Sequence, residues 1–567
     1  MKVCAEGCNS LFITIFLLLI SGYGVHSFSY HYSATTDCIA EAERAEYGGG
    51  IIVNPGFDEN IEGISNEGNR FIVAHNREQP LDSFSQKLQL RKGMLYTFSG
   101  WFQVSEGSDT VSVMFRAKGN ELIRGGQVMA KHGCWTLLKG GITANFSSTV
   151  EILFESKNSS VEIWADNISL QPFSKKQWRS LQNASIEKVR MRKVRFQVTD
   201  ENGTALNGAK VITKGAKLNF PFGCGMNHFI LTSKDYQNWF ASRFKFTTFT
   251  NEMKWYSTER IQGQEDYSIA DAMLSFAKVK GISVRGHNIL WDNEKQQPQW
   301  IKTLSPEDLK KAVAKRIRSV VSRYKGQVIA WDVMNENLHF HFFEDNLGQN
   351  ASAQAYAATF ALDPGTQMFL NDFNTIEFSG DKLASPVKYI QKVKEILSFP
   401  GVAGMSLAIG LQGHFAVGQP NLAYMRSSLD LLATTGLSIW LTEVSVDPQP
   451  SQAEYLEDVL REAYSHPAVD GIIMFSGPAQ AGFNTTTLAD ENFRNTPAGD
   501  VVDKLIQEWG TEPKIAAADG RGIVDISLHH GDYDVTVTHP LIHSPITMNL
   551  SVKKDFSLET IHVKMRT

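Results

Sequence analysis

Between residues 220 and 475, without any internal sequence repeat, eight short apolar runs rich in β-branched and aromatic residues alternate with stretches of helical periodicity, and several of the runs end on polar residues. Few architectures satisfy that rhythm. The runs fall at Phe220 to Cys224, Thr247 to Asn251, Val284 to His287, Val328 to Asn335, Met368 to Asn371, Ser406 to Gln412, Ile439 to Glu443 and Ile472 to Phe475. Near-continuous apolar strands separated by helices imply a parallel sheet covered on both sides, and eight of them close most economically into a (β/α)8 TIM barrel. Residues at the C-terminal ends of such strands converge on one face, where barrel enzymes keep their active sites.

The helical stretches carry their own punctuation. Ser305-Pro306-Glu307-Asp308 offers a cap, a proline in the first turn and early acidic charge. Ser451-Gln452-Ala453-Glu454 reads as a capping box before an apolar pattern. Ile269, Met273, Phe276 and Ala277 form another helical face ended by Gly281, and Val502, Leu505, Ile506 and Trp509 form the last.

The flanking regions read differently. Residues 49–172 show period-two alternation, as in Leu95-Tyr-Thr-Phe-Ser-Gly-Trp101 and Val161-Glu-Ile-Trp164, which predicts an all-β, jelly-roll-like sandwich. Residues 173–200 read as a polar linker, 201–509 as the barrel, and 510–567 as a small β-rich appendage. In the sandwich, Tyr96, Trp101, Trp135 and Trp164 are candidates for stacking on a glycan, with core packing the competing role for at least half of them. Asn54 and Asp58, oxygen-bearing residues near a strand end, are candidate ligands for a structural calcium in the sandwich.

Residues 1–27 have the order of a secretory signal peptide, with Lys2, the apolar run Leu11 to Ile20, and small polar residues. Secretion would remove Cys4 and Cys8 and leave Cys38 and Cys134 as a candidate disulfide, with Cys224 reduced in a buried strand. Glycosylation sequons occur at Asn145, Asn158, Asn167, Asn183, Asn202, Asn350, Asn484 and Asn549. A net charge of -5 without a basic tract argues against a nucleic acid partner. No membrane association is expected after signal cleavage, and a monomer is expected.

The strand ends concentrate the chemistry. Glu336 closes Trp331-Asp332-Val-Met-Asn335-Glu336, and Glu443 closes Ile439-Trp-Leu-Thr442-Glu443. Two carboxylates on one barrel face suit glycosidic bond cleavage. Around them stand Asn251-Glu252-Met253-Lys254-Trp255, Arg285-Gly286-His287, Trp291 and Gly410-Leu411-Gln412-Gly413-His414, an alternation of amide, imidazole, ammonium and indole groups. A sugar requires that mixture, because its hydroxyls need polar partners while its C–H faces stack on aromatics.

These motifs, in order and spacing, resemble glycoside hydrolase family 10, the endo-1,4-β-xylanases, across the whole barrel. The sandwich, opening Asn54-Pro-Gly56-Phe57-Asp58, resembles a family 22 carbohydrate-binding module, and the domain order is similar to that of plant cell-wall xylanases. The resemblance implies a retaining double displacement without cofactor or metal. Glu443 would be the nucleophile and Glu336 the proton donor and then base, with their carboxyls roughly 5 to 5.5 Å apart. Glu336 would be kept protonated by the charge of Glu443 and by partial burial. Asn335 would bind the sugar 2-hydroxyl and His414 orient Glu443, while Asn251, Lys254, His287, Trp291 and Gln412 line the glycone side and Phe475 stands at the roof of the reacting sugar. The implied substrate is xylan or another β-1,4-xylose polysaccharide. Four positions depart from the family pattern: Thr250 for a glutamate, Asp292 for a histidine, Ser445 for an aspartate and Phe475 for a tryptophan. Sequence alone leaves open which of Trp331 and Asp332 points inward. A xylan transglycosylase and a catalytically decayed wall-binding protein are the alternative functions.

Overall fold

The computed structural model describes residues 29–57, 70–555 and 560–566. The segment read as a signal peptide, together with Asp58 of the calcium pair, lies outside the described residues. The chain divides into two compact units, residues 1–33 and 34–567, and the sandwich, the barrel and the C-terminal β region all belong to the second.

Eight parallel strands form a closed ring: β1 (Phe222–Met226), β2 (Phe246–Phe249), β3 (Ser283–Gly286), β4 (Ala330–Asn335), β5 (Gln367–Asp372), β6 (Leu407–Leu411), β7 (Ser438–Val446) and β8 (Val469–Met474). Each pairs with its sequence neighbour, β8 pairs with β1, and Arg285↔Ala330 and Gly286↔Trp331 join β3 to β4. The expected eight strands and barrel closure are therefore present, each strand within a few residues of its predicted span.

Inward residues stack in layers, as the two-residue period requires. Ala330, Phe369, Ala408, Trp440 and Ile473 form an apolar floor, with Phe246 against it. Two residues further along the strands the floor gives way to Asp332, Asn371, Gly410 and Thr442. Gly410 has no substitute, because a Cβ there would meet Asn371 Oδ1 at 2.6 Å. Trp331 faces out: its ring lies across Gly286, where a Cβ would meet it at 2.3 Å, and beside Tyr324 of the helix Pro306–Tyr324. Asp332 faces in, resolving the alternative left by the sequence.

Ser305 caps that helix as expected, accepting from the Asp308 amide. Ser451 stands at the N-cap of Gln452–Ser465, but its side chain makes no capping bond, so the capping box is not formed. Ile269 is 47% exposed on Ser268–Val279, leaving Met273, Leu274 and Ala277 as the buried stripe.

The N-terminal region is a sandwich of two four-stranded antiparallel sheets, with spatial orders 72–74, 163–174, 94–104, 136–143 and 86–90, 148–156, 108–116, 122–131. Tyr96 lies in its core, and Trp101 and Trp135 are buried beneath Ile39, Phe71 and a half-exposed Trp164. Cys38 and Cys134 are disulfide-bonded, tying the segment that covers these tryptophans, and Cys224 is free and buried.

Residues 173–200 do not form an open linker. Ser174 and Gln177 make a capping box that starts the helix Lys175–Arg190, and Trp178 and Gln182 donate to the buried Glu462 of the barrel helix Gln452–Ser465. A strand, Met191–Thr199, follows and pairs with Ile523–His529 and Thr560–Lys564. Lys210–Leu218 likewise pairs with Lys514–Ala517 and Gly531–His539. The C-terminal β unit thus takes two strands from residues before β1, sharing one core of Val194, Phe196, Val211, Val535 and Val537, and the barrel is inserted within it.

Candidate active site

The strands β4 and β7 bring Glu336 and Glu443 to the ring centre, each by breaking the strand period. Pairing slips between Asp332 and Met334 on β4, and between Leu441 and Val444 on β7. Such bulges let consecutive residues reach one face. Glu336 lies just beyond β4 with φ at +61°, a left-handed conformation that turns its side chain into the cleft, and its amide donates to the Asn371 carbonyl at 2.8 Å.

Asn371, at the end of β5, is the hub. Its Nδ2 donates to Asn335 Oδ1 at 2.9 Å and to Glu443 Oε1 at 3.1 Å, while its Oδ1 accepts from the Thr442 hydroxyl at 2.5 Å. It is fully buried. The sequence drew its strand but gave no reason to single it out, although a polar amide closing the otherwise apolar run Met368-Phe-Leu-Asn371 was the available signal.

The two glutamates sit in opposite settings. Glu336 Oε2 accepts from Trp291 Nε1 at 2.6 Å and its Oε1 from Gln412 Nε2 at 3.1 Å, both neutral donors. Burial raises its pKa to about 7, with Asp372 and Glu443 adding to the shift against the two hydrogen bonds. The shift runs in the expected upward direction, but burial leads and the charge of Glu443 is a lesser cause. Burial would raise Glu443 as well; instead His287, His414 and Lys254 hold it well below the usual carboxylate range. His287 Nε2 lies 3.9 Å from Glu443 Oε1, and His414 Nε2 3.6 Å from Oε2.

Each imidazole is held from behind. His287 Nδ1 meets Asp332 Oδ2 at 2.7 Å, and the same carboxylate takes Arg285 at 2.6 Å. His414 Nδ1 meets Ser445 Oγ at 2.7 Å, so Ser445 fixes the ring with a neutral hydroxyl, without a charge behind it. His414 nonetheless has a raised pKa, because Glu443 outweighs the opposing effect of burial. Phe475 stands edge-on to His414 with centroids 5.9 Å apart.

On the β2 and β3 side, buried Lys254 places Nζ 4.4 Å from the Trp291 ring centre and 3.3 Å from Asn251 Oδ1, which also accepts from Tyr256 at 2.6 Å. Thr250, Asn251 and Tyr256 continue into a cavity of about 750 Å³. Asp292 turns away from the cleft to accept from Asn337 Nδ2 at 2.7 Å and the Phe343 amide at 2.9 Å, with burial raising its pKa to about 7. Asp292 therefore serves the turn after Glu336. His339 supports the same turn between Asp372 at 2.5 Å and Asp381 at 2.9 Å. All ten candidate residues lie around one cleft. Asp332, Asn371 and His339 were missed because their roles are pairings between different strands and loops.

Residues 212–502 match the family model described as glycosyl hydrolase family 10. Over 570 residues the chain is 46% identical to endo-1,4-beta-xylanase 5-like of Arabidopsis thaliana, spanning 98% of each protein. To endo-1,4-beta-xylanase 4 of Arabidopsis thaliana it is 45% identical over 97% of this chain and 95% of the relative. A crystal structure of xylanase 10B from Thermotoga petrophila RKU-1 in complex with xylobiose is 24% identical, covers 51% of this chain and 94% of that one, and aligns with a TM-score of 0.46. With the family model spanning more than half of the sequence and relatives of this identity over nearly its full length, the chain belongs to glycosyl hydrolase family 10.

Proposed function

We propose that the protein is a secreted endo-1,4-β-xylanase that cleaves internal bonds of cell-wall xylan by a retaining double displacement. The observation that carries this reading is the opposed surroundings of two glutamates in one cleft: Glu336 is buried and accepts from the neutral donors Trp291 and Gln412, its pKa pushed up to about 7, while His287 and His414 flank Glu443 and hold it well below the usual carboxylate range. Surroundings that push two carboxyls apart in this way support Glu336 as the acid and Glu443 as the nucleophile.

Glu443 attacks the anomeric carbon while Glu336 gives its proton to the departing glycosidic oxygen. The leaving half of the chain then departs. With Glu443 esterified, Glu336 loses one of the charges that raise its pKa and takes a proton from the incoming water, whose oxygen displaces Glu443. Asn335 accepts from Asn371 through its oxygen, which leaves its own amide N–H groups for a sugar 2-hydroxyl. Lys254, Asn251, His287 and Trp291 hold the glycone, Gln412 steadies Glu336, and Phe475 covers the reacting sugar with an aromatic face that lacks an indole N–H.

The sandwich acts in this reading as a carbohydrate-binding module. Its four aromatic candidates give little support to an exposed stacking platform, because only Trp164 is more than marginally accessible. Secretion is supported by the leader-like residues 1–27, by the Cys38–Cys134 disulfide, and by exposure of every sequon asparagine except the half-buried Asn167. Among the described residues no helix is long and apolar enough to cross a membrane.

Product analysis on soluble xylan, with Glu443→Gln as the contamination control, tests the proposal. Xylo-oligosaccharides released by the wild type alone are expected. Chain lengths redistributed without new reducing ends would assign a transglycosylase, and binding without any change in chain length would refute turnover.

A further inference from the structure

We propose that the N-terminal sandwich forms one wall of the leaving-group half of the cleft, so that a xylan chain is held there between sandwich and barrel. The inference rests on the function proposed above and adds a second module to its binding site.

The ring itself fixes the direction. Glu336 and Glu443 stand at the ends of β4 and β7; β5 and β6 lie between them on one side, and β8, β1, β2 and β3 on the other. Asn251, Lys254, His287 and Trp291 all follow β2 or β3, so a chain passing between the two carboxylates leaves over the loops after β5 and β6. Those are the loops and their continuations on which the sandwich rests. Ser379 Oγ donates to the Arg124 carbonyl at 2.5 Å, Gln127 Nε2 to Ser385 Oγ at 2.7 Å, and the Thr143 amide to Asn421 Oδ1 at 2.8 Å. The seat is close: a Cβ on Gly141 would meet the Ala423 Cβ at 2.7 Å.

Between the two surfaces runs a groove of about 460 Å³. It begins at the reacting centre, since its lining includes His414, 3.6 Å from Glu443, and Glu377, which accepts from the Gly413 and His414 amides. It ends on the sandwich at Asn145 and Phe146. The lining mixes apolar faces, Ile142 and Phe146 from the sandwich and Phe378 and Val417 from the barrel, with the side-chain amide of Asn374 and the carboxyl of Glu377. A pentose polymer without exocyclic arms presents flat C–H faces and equatorial hydroxyls to such a surface. Phe378 is 59% exposed and Val417 71% exposed, apolar area left open along the path the leaving chain must take.

The test is steady-state kinetics of the full-length protein on xylohexaose and on an aryl β-xylobioside, whose leaving group is a phenol that leaves the groove unfilled. For Phe378→Ala on the barrel wall and Phe146→Ala on the sandwich wall, the ratio of kcat/KM for xylohexaose to that for the aryl glycoside is expected to fall about fivefold. Because Phe146 also packs against the sandwich core, Phe146→Leu, which keeps apolar volume but loses the flat ring, is read in the same way if thermal unfolding shows that the alanine variant is not folded. An unchanged ratio in the Phe146 variants, with or without a change in Phe378→Ala, would overturn the role of the sandwich while leaving the proposed function standing. Failure of the wild type to turn over either substrate would instead remove the function on which the inference rests.

Discussion

At the scale of single residues, the proposed mechanism depends on keeping Glu336 neutral and Glu443 charged within one buried volume. Only the protonated form of Glu336 can act as the acid, so kcat/KM is expected to fall as pH rises through about 7, the alkaline limb following Glu336. A limb displaced by two units or more would contradict the burial argument. Because burial, rather than Glu443, leads that shift, the Glu336 pKa in Glu443→Gln should remain above the ordinary carboxylate value, as NMR titration of the carboxyl carbon can show. Glu336→Ala should lose activity on xylan by a far larger factor than on an aryl glycoside whose leaving group needs no proton. Equal losses on both would remove the acid role. Asn371→Ala deletes both donors from Asn335 and Glu443 and is expected to lower kcat about 100-fold, a size usual for groups that position reacting residues. A fall in affinity with kcat intact would assign it to binding instead.

At the scale of elements, loops rather than strands carry most of the polar groups, and buried cations hold those loops. Arg316, on the helix Pro306–Tyr324, donates to the carbonyls of Met253, Asn288 and Ile289 and to the hydroxyls of Thr258 and Tyr267. One fully buried guanidinium thereby ties the loop bearing Lys254 to the loop bearing Trp291. Arg316→Met should cost about 2 to 4 kcal/mol in urea unfolding, since the buried Met253, Asn288 and Ile289 carbonyls each lose the hydrogen bond that the guanidinium donates. It should also lower kcat/KM although it touches no substrate. Activity preserved at full stability would show that the loops hold themselves.

At the scale of the whole molecule, the barrel is not an independent bead on a string. The C-terminal β unit takes Met191–Thr199 and Lys210–Leu218 from the chain ahead of β1, so both ends of the barrel are anchored in the same small core. Truncation after Gly510 should expose Val194, Phe196, Val198 and Val211 on unpaired strands and yield aggregated protein. A soluble, fully active truncation would mean that the unit is dispensable. On the opposite flank, Trp178 and Gln182 share Glu462 with Arg426, fixing the helix after the sandwich to the barrel wall.

The sequence by itself determined the eight strands, because apolar runs of fixed period separated by helical faces have few other ways to bury their surface. It also determined the candidate residues at the strand ends, since motif and residue chemistry are local. Tertiary structure decided which neighbours share a face. A strict two-residue period would set Thr442 opposite Glu443, yet both reach Asn371, because β7 bulges where its pairing slips. Tertiary structure likewise turned Asp332 inward and Trp331 outward, turned Asp292 from the cleft, and converted a polar linker into a helix with a buried face. In each case the deciding partner lies on a segment distant in sequence or on a neighbouring strand. Register, burial and pKa are properties of such pairings, which become defined only when the ring closes.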